Sequence, residues 1–355
     1  MAVEVQDFPC PAWEERESWF SVGDGAVTVA ANPYSPSCTV TALLAPVGSL
    51  AELERADLGG RIAVLYGDLT HQPLPAKAWM FKDEADARVV DLLEAAQPAA
   101  IVAVQSSPGE LNRLVEDWEF SIPSVTAPAA QRDRLLGQAG ALAHLRIGTR
   151  QQPGSTANIV ARLPGVRREQ IVLMAHYDTK VDTPGATDNA TGVAVLLTLA
   201  EHCCRQDQPY ALEFIAFTNE EYLPLGDDEY VRHRGETFDQ IVAAVNFDGV
   251  GQVGSTLTVA GFNLAPACEA MLRTVTTPPP AVTWVEPWPE SNHSTFAWRG
   301  VPALAFTARA DRYHHHLRTD TIDLVDMDQL LDVAALTGRI ARTIATHEAM
   351  WTRMG

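Results

Sequence analysis

His176 closes the apolar run Ile171 to Ala175, and Asp178 stands two residues beyond it. Glu220 and Glu221 follow the run Leu212 to Phe217, and Asp248 follows Ile241 to Phe247. Asp188 lies in Gly185-Ala-Thr-Asp-Asn-Ala-Thr-Gly192, where a loop enters a helix-like stretch, Thr191 to Cys204. Imidazole mixed with carboxylate, without thiolate, is the donor chemistry of zinc and, to a lesser degree, of manganese or cobalt. Taken alone, Asp188 reads as the N-cap of the helix that follows. The run His314-His315-His316 offers a further imidazole, and its position leaves open which of the three, if any, meets the others.

Gathering Asp178, Asp188, Glu220, Glu221 and Asp248 in one crevice has an electrostatic cost. Two like charges about 4 Å apart repel by about 4 kcal/mol at an effective dielectric near 20. Such a group takes up protons or opens unless a divalent cation reverses the sign. The acidic groups outnumber what one tetrahedral ion uses, which favours two ions bridged by a carboxylate and a hydroxide.

The elements that must position these residues alternate strand and helix after residue 150: Ile171 to Ala175, Thr191 to Cys204, Leu212 to Phe217, Asp227 to Arg234, Ile241 to Phe247, Val301 to Phe306 and Met327 to His347. That order predicts an α/β architecture, a mostly parallel sheet with helices on both faces. In such a sheet the carboxyl ends of the strands line one crevice, where ligands bind. The polar stretch Thr149 to Ser155 reads as a boundary. Before it come β-rich runs (Ala26 to Ala31, Thr39 to Ala45, Arg61 to Tyr66) and two helix-like stretches, Asp83 to Ala96 and Ala129 to Gly140, none with a chemical constellation.

The 355 residues carry 26 Lys plus Arg against 45 Asp plus Glu, a net charge of −19 that repels phosphate backbones, so nucleic acid is not an expected partner. No apolar run reaches the roughly 18 residues a membrane span needs, so no membrane partner is expected. Met1 to Asp7 shows no secretory pattern, which reads as cytoplasmic as the chain stands and as secreted if a segment has been removed. The five cysteines form no C-x-x-C pair, so any metal must be held by His and carboxylates.

Five motifs in order, Ala175-His-Tyr-Asp-Thr179, Gly185-Ala-Thr-Asp-Asn189, Thr218-Asn-Glu-Glu221 with Gly226 beyond, Asn246-Phe-Asp-Gly249 and His316-Leu-Arg-Thr-Asp-Thr321, resemble those of zinc aminopeptidases of the leucyl aminopeptidase type, relatives of glutamate carboxypeptidases and glutaminyl cyclases. The resemblance covers about residues 156 to 345. It implies a dinuclear zinc site, with His176 and Asp248 on one ion, Glu221 and His316 on the other, and Asp188 bridging. The register of Asp320-Thr321 selects His316. Glu220 resembles the family's general base, and Asp178 would accept a hydrogen bond from His176. His315 is similar in placement to a Tyr of some relatives that donates to the developing oxyanion.

The resemblance implies a peptide or aminoacyl substrate, cleaved at its N-terminal residue through a metal-bridging hydroxide. Manganese or cobalt would be substitutes for zinc. Alternatives are a single-zinc cyclase using Asp188, Glu221 and His316, a carboxypeptidase with Arg299, Arg309, Arg312 or Arg318 for the substrate carboxylate, and a binding protein with a dead site. Oligomeric state is not legible.

The first half resembles a protease-associated domain in Asp57 to Leu65, Ala95 to Ala103 and Ser121 to Val125. The expected division is 1–20 as a shortened start of the catalytic domain, 21–152 as an inserted, β-rich protease-associated domain, and 153–355 as the catalytic domain. Val3 to Phe8 resembles a strand that in relatives follows an amphipathic helix, so the chain is expected to start late. Relatives usually show Asp where Asn292 precedes His293, a departure that bears on substrate positioning. Trp284, Trp288, Phe296 and Trp298 flank Asn292 and are candidates for an apolar substrate pocket.

Overall fold

A computed structural model describes residues 1–74, 77 and 84–353. The chain forms two compact units, Met1–Phe8 with Thr156–Gly355, and Pro9–Ser155.

The first unit is built on an eight-stranded mixed sheet. Its strands are β1 (Ala2–Glu15, in this unit as far as Phe8), β2 (Thr149–Leu163, in this unit from Thr156), β3 (Arg167–His176), β4 (Tyr210–Phe217), β5 (Ile241–Phe247), β6 (Thr256–Phe262), β7 (Thr283–Trp284) and β8 (Ala303–Arg309), in the order β1-β2-β4-β3-β5-β8-β6-β7. The four central strands β4, β3, β5 and β8 are mutually parallel, whereas β2 joins β4 and β6 joins β8 antiparallel. In register, His176 lies beside Phe217, and Met174 beside Asn246. The three strands therefore end together, and the segments after them emerge at one edge.

The helices are α1 (Thr191–Cys203), α2 (Leu225–Arg234), α3 (Pro266–Val275), α4 (His293–Ala297) and α5 (Met327–Ala345). Side-chain alternation along β3 decides how they distribute. Ile171, Leu173 and Ala175 pack with Val195 and Leu199 of α1, Leu272 of α3, and Val333, Leu336 and Ile340 of α5. Val172 and Met174 face the other way, onto Tyr230 of α2 and Phe296 of α4. Burying each of these large side chains contributes roughly 1.5–3 kcal/mol, which fixes the strand ends as a rigid platform. Among the described residues no helix is long and apolar enough to cross a membrane.

The second unit holds an eight-stranded sheet whose central strands Cys38–Val47, Ile62–Leu65, Ala100–Val104 and Ser124–Ala127 are parallel. The helix Glu84–Ala96 packs Val89, Val90 and Leu93 on Leu65, Ile101 and Ala103. Asp83, the residue from which the sequence predicts that helix, lies outside the described residues, as do Met354 and Gly355 of the 153–355 domain. The stretch Ala129 to Gly140 is shorter than its composition suggests: a 3₁₀ turn and the helix Arg132–Leu136 end ahead of Gly140, whose φ of +75° belongs to a turn.

Candidate metal centre

His176 is the last residue of β3 and only 1% exposed, so its ring is fixed by the sheet. Its Nε2 lies 3.2 Å from Asp248 Oδ1, at the end of β5, and 3.2 Å from Asp188 Oδ1. His316 Nε2 lies 3.1 Å from Asp188 Oδ2 and 3.1 Å from Glu221 Oε2. Two clusters with metal-ligand spacing result, His176–Asp188–Asp248 and Asp188–Glu221–His316, and Asp188 gives one carboxylate oxygen to each. Glu220 Oε2 stands 4.0 Å from His176 Nε2.

The loop carrying Asp188 is held from below. Buried Asp320 accepts the Thr187 N–H at 2.8 Å, the Thr187 hydroxyl at 2.7 Å and the Asp188 N–H at 3.0 Å. Asn189 donates from Nδ2 to the Phe247 carbonyl at 2.8 Å and accepts the Gly192 N–H at 3.1 Å, tying this loop to the end of β5. The N-cap position of α1 is Ala190, and the side chain that accepts an N–H of its first turn is that of Asn189, so the N-cap reading does not apply to Asp188.

The segment Thr218 to Gly226 carries Glu220 and Glu221, and Asn158 of β2 clamps both its ends. Its Oδ1 accepts the Thr218 N–H at 3.3 Å, and its Nδ2 donates to the Gly226 carbonyl at 2.7 Å. Asp178 clamps the middle, accepting the Glu220 and Glu221 N–H groups at 3.2 Å each. The His176 Nδ1–H donates to the backbone carbonyl of Asp178 at 3.1 Å, and the carboxylate of Asp178, which holds the Glu220–Glu221 turn, lies 3.6 Å from the same nitrogen.

Electrostatics follow from burial against charge. Burial alone lowers His176, but the charges of Asp248 and Glu220, with Asp178 and Asp188, hold it well above its ordinary value. His316 is likewise lowered by burial but carried up to about 10 by Glu221 and Asp188. Burial raises Asp188, and the two imidazoles overcome it and hold the carboxyl well below its usual range. Glu220 goes well above its range, first through burial and then through Asp248 and Glu221. The cluster therefore demands positive charge. Among the described residues, Glu221 Oε1 is buried without a hydrogen-bond partner, and none of the free cysteines joins either cluster. Oxygen and imidazole donors with an unmet acceptor fit divalent zinc.

The remaining candidates lie outside the two clusters. The His315 ring packs against Gly249, where a Cβ would meet its Cε1 at 2.7 Å, and its Nε2 is buried without a partner among the described residues. Asn292 is buried and donates to Asp227 Oδ2 at 2.7 Å. Trp298, 48% exposed, sits at the C-cap of α4. The flanking aromatics do not line one wall. Phe296 is in the core, Trp284 donates to Thr276 at 3.0 Å, and Trp288 meets the His293 ring edge-on at 4.5 Å. Sequence reasoning used Asp320 only to set register and passed over Asn158 and Asp227.

Comparison with known proteins bears on this geometry. A probable leucine aminopeptidase 2 of Aspergillus oryzae is 26% identical over 259 residues, 70% of this chain and 49% of that protein. A probable leucine aminopeptidase 2 of Aspergillus fumigatus is 27% identical over 277 residues, covering 74% and 53%. The chain thus spans about half the length of these curated relatives. Two solved structures share the fold: an aminopeptidase from Aneurinibacillus sp. strain AM-1, with a TM-score of 0.75, 22% identity and coverage of 100% of this chain and 85% of that one, and a zinc aminopeptidase from Bacillus subtilis, with 0.77, 20%, 99% and 88%. Residues 158–341, which contain every residue of both clusters, match the model of peptidase family M28, and the chain belongs to that family.

Proposed function

We propose that this protein is a dinuclear zinc aminopeptidase that removes the N-terminal residue of peptides. The observation that carries the reading is the sharing of Asp188 between two ligand clusters, one oxygen to each, with Glu220 beside them. His176 and Asp248 would hold one zinc, Glu221 and His316 the other, and Asp188 both. When bound, zinc supplies Lewis-acid polarisation of a carbonyl and makes water more acidic.

The chain's own residues supply the rest. Glu220, its carboxyl raised by burial, is suited to take a proton and return it to a leaving amine. Asp178 fixes Glu220 and Glu221 by holding both their N–H groups. The acidic crevice attracts the free ammonium of a peptide. His315, with its buried unpartnered Nε2 beside Gly249, is placed to donate to substrate oxygen. We read residues 21–152, which lie within the unit Pro9–Ser155, as a protease-associated domain. Manganese and cobalt are expected substitutes for zinc.

Two of the four arginines of the carboxypeptidase alternative are already engaged: Arg318 pairs with Asp182 at 3.0 Å, and Arg299 donates to the Thr295 carbonyl. The test is the metal-reconstituted protein against a panel of aminoacyl amides and peptides, with zinc counted per chain. Release of N-terminal residues with two zinc ions is the expected result. Full zinc occupancy without any release would end the aminopeptidase reading, and one zinc per chain would favour the cyclase.

A further inference from the structure

Asp227 is the third residue of α2, which leads directly away from the Glu220–Glu221 turn. It is buried, 7% exposed, and among the described residues no Lys, Arg or His pairs with it. Its partners are two neutral donors, the Asn292 amide at 2.7 Å and the Thr295 hydroxyl at 2.6 Å. A buried carboxylate without a cation is costly, and the start of a helix offsets only part of that cost.

A neutral replacement is structurally available. Asn292 Oδ1 is buried without a partner among the described residues, so turning that amide would let it accept from an amide placed at 227, while the oxygen at 227 still receives Thr295. The negative charge is therefore not what the packing needs.

The same charge directly follows Gly226, the end of the Glu220–Glu221 segment that Asn158 holds. Asp178 lies within its electrostatic range, and Asp178 holds the Glu220 and Glu221 N–H groups and, through its backbone carbonyl, the His176 imidazole. We propose that Asp227 is a positioning residue retained at a cost in stability, its buried negative charge strengthening the hold of the His176–Asp188–Glu221 centre on its cations. The proposal rests on the two-cluster metal reading above.

Asp227→Asn separates the two roles. Zinc affinity, measured on the holoenzyme by competition with a chelator, should weaken by about three- to tenfold, less than the 10–100-fold that removing a group bonded directly to a ligand costs. The metal-free melting temperature at pH 7 should instead rise by about 2–5 °C. In Asp227→Asn/Asn292→Asp the charge sits on the other side of the same hydrogen bond, and affinity should recover.

Unchanged affinity in the single variant, a lower melting temperature, or no recovery in the exchanged pair would each overturn the proposal. A wild-type protein that binds two zinc ions but cleaves nothing removes the aminopeptidase reading and leaves this inference standing on its affinities. One that binds no zinc removes both.

Discussion

The carboxylate of Asp320 accepts the backbone N–H of Asp188 at 3.0 Å, while its other oxygen takes both the N–H and the hydroxyl of Thr187. A completely buried carboxylate thus fixes the loop that presents Asp188 to both clusters. In Asp320→Asn the side-chain amide cannot accept all three, and an N–H is left facing an N–H. Hydrogen bonds to a charged group are worth about 1.5–3 kcal/mol, so a loss of about 2–3 kcal/mol is expected in urea unfolding of the metal-free protein. Zinc stoichiometry should fall with it. Intact stability would show that the loop holds itself.

The legibility of this arrangement differed by type of residue. Strand ends were plain because apolar runs such as Ile241–Phe247 stop where polar chemistry starts, and β3, β4 and β5 carry His176, Glu220 and Asp248 to one edge. The antiparallel β2 and β6 were not legible, since a strand's direction depends on partners distant in sequence. Nor were the supports. Asn158 lies 60 residues before Thr218, and Asp320 lies 132 residues after Asp188, separations at which a lone polar residue carries no pattern. For Asp320 a signal existed in its fixed spacing from His316, and for Gly226 in its distance from Glu221.

Gly226 has a reason of its own. A Cβ there would lie 2.1 Å from the Thr218 carbonyl oxygen and 2.9 Å from Asn158 Oδ1. The first is backbone in the strand-end segment and cannot turn aside, so Gly226→Ala must push the two ends of the Glu220–Glu221 segment apart. Overpacking of this kind costs typically about 1–3 kcal/mol. Because Glu220 moves with the segment, kcat should drop while KM changes little, read from steady-state kinetics on an aminoacyl amide. An unaltered kcat in a destabilised variant would mean that the carboxylate's position does not depend on this clamp.

Stability should also depend on pH through Asp227. Burial pushes its carboxyl up to about 6, against the pull of Thr295 and Asn292. The unfolded value is about 3.9, so the folded value is the higher of the two. Its contribution is therefore complete below about pH 4 and is lost as pH rises through about 6, a total of about 3 kcal/mol. Other titrating groups cancel in the difference between wild type and Asp227→Asn. Urea unfolding from pH 4 to 8 should show that difference moving in the variant's favour as pH rises. A flat difference would place the Asp227 carboxyl in the ordinary range.

Glu220 and Glu221 are adjacent in sequence and share one clamp, yet should fail differently. Glu221 Oε2 lies 3.1 Å from His316 Nε2 within a ligand cluster, whereas Glu220 is in neither cluster and stands 4.0 Å from His176. Asp178 holds both through their N–H groups, so neither side chain is needed to keep the turn in place. If the site holds two zinc ions with Glu220 as general base, as proposed, Glu220→Gln should keep both ions and lose roughly two orders of magnitude or more in kcat, the usual contribution of such a base. Glu221→Gln should release the ion shared with His316, visible as a fall toward one zinc per chain before any rate is measured. If elemental analysis instead found metal lost from Glu220→Gln and kept by Glu221→Gln, the two carboxylates would have to exchange roles.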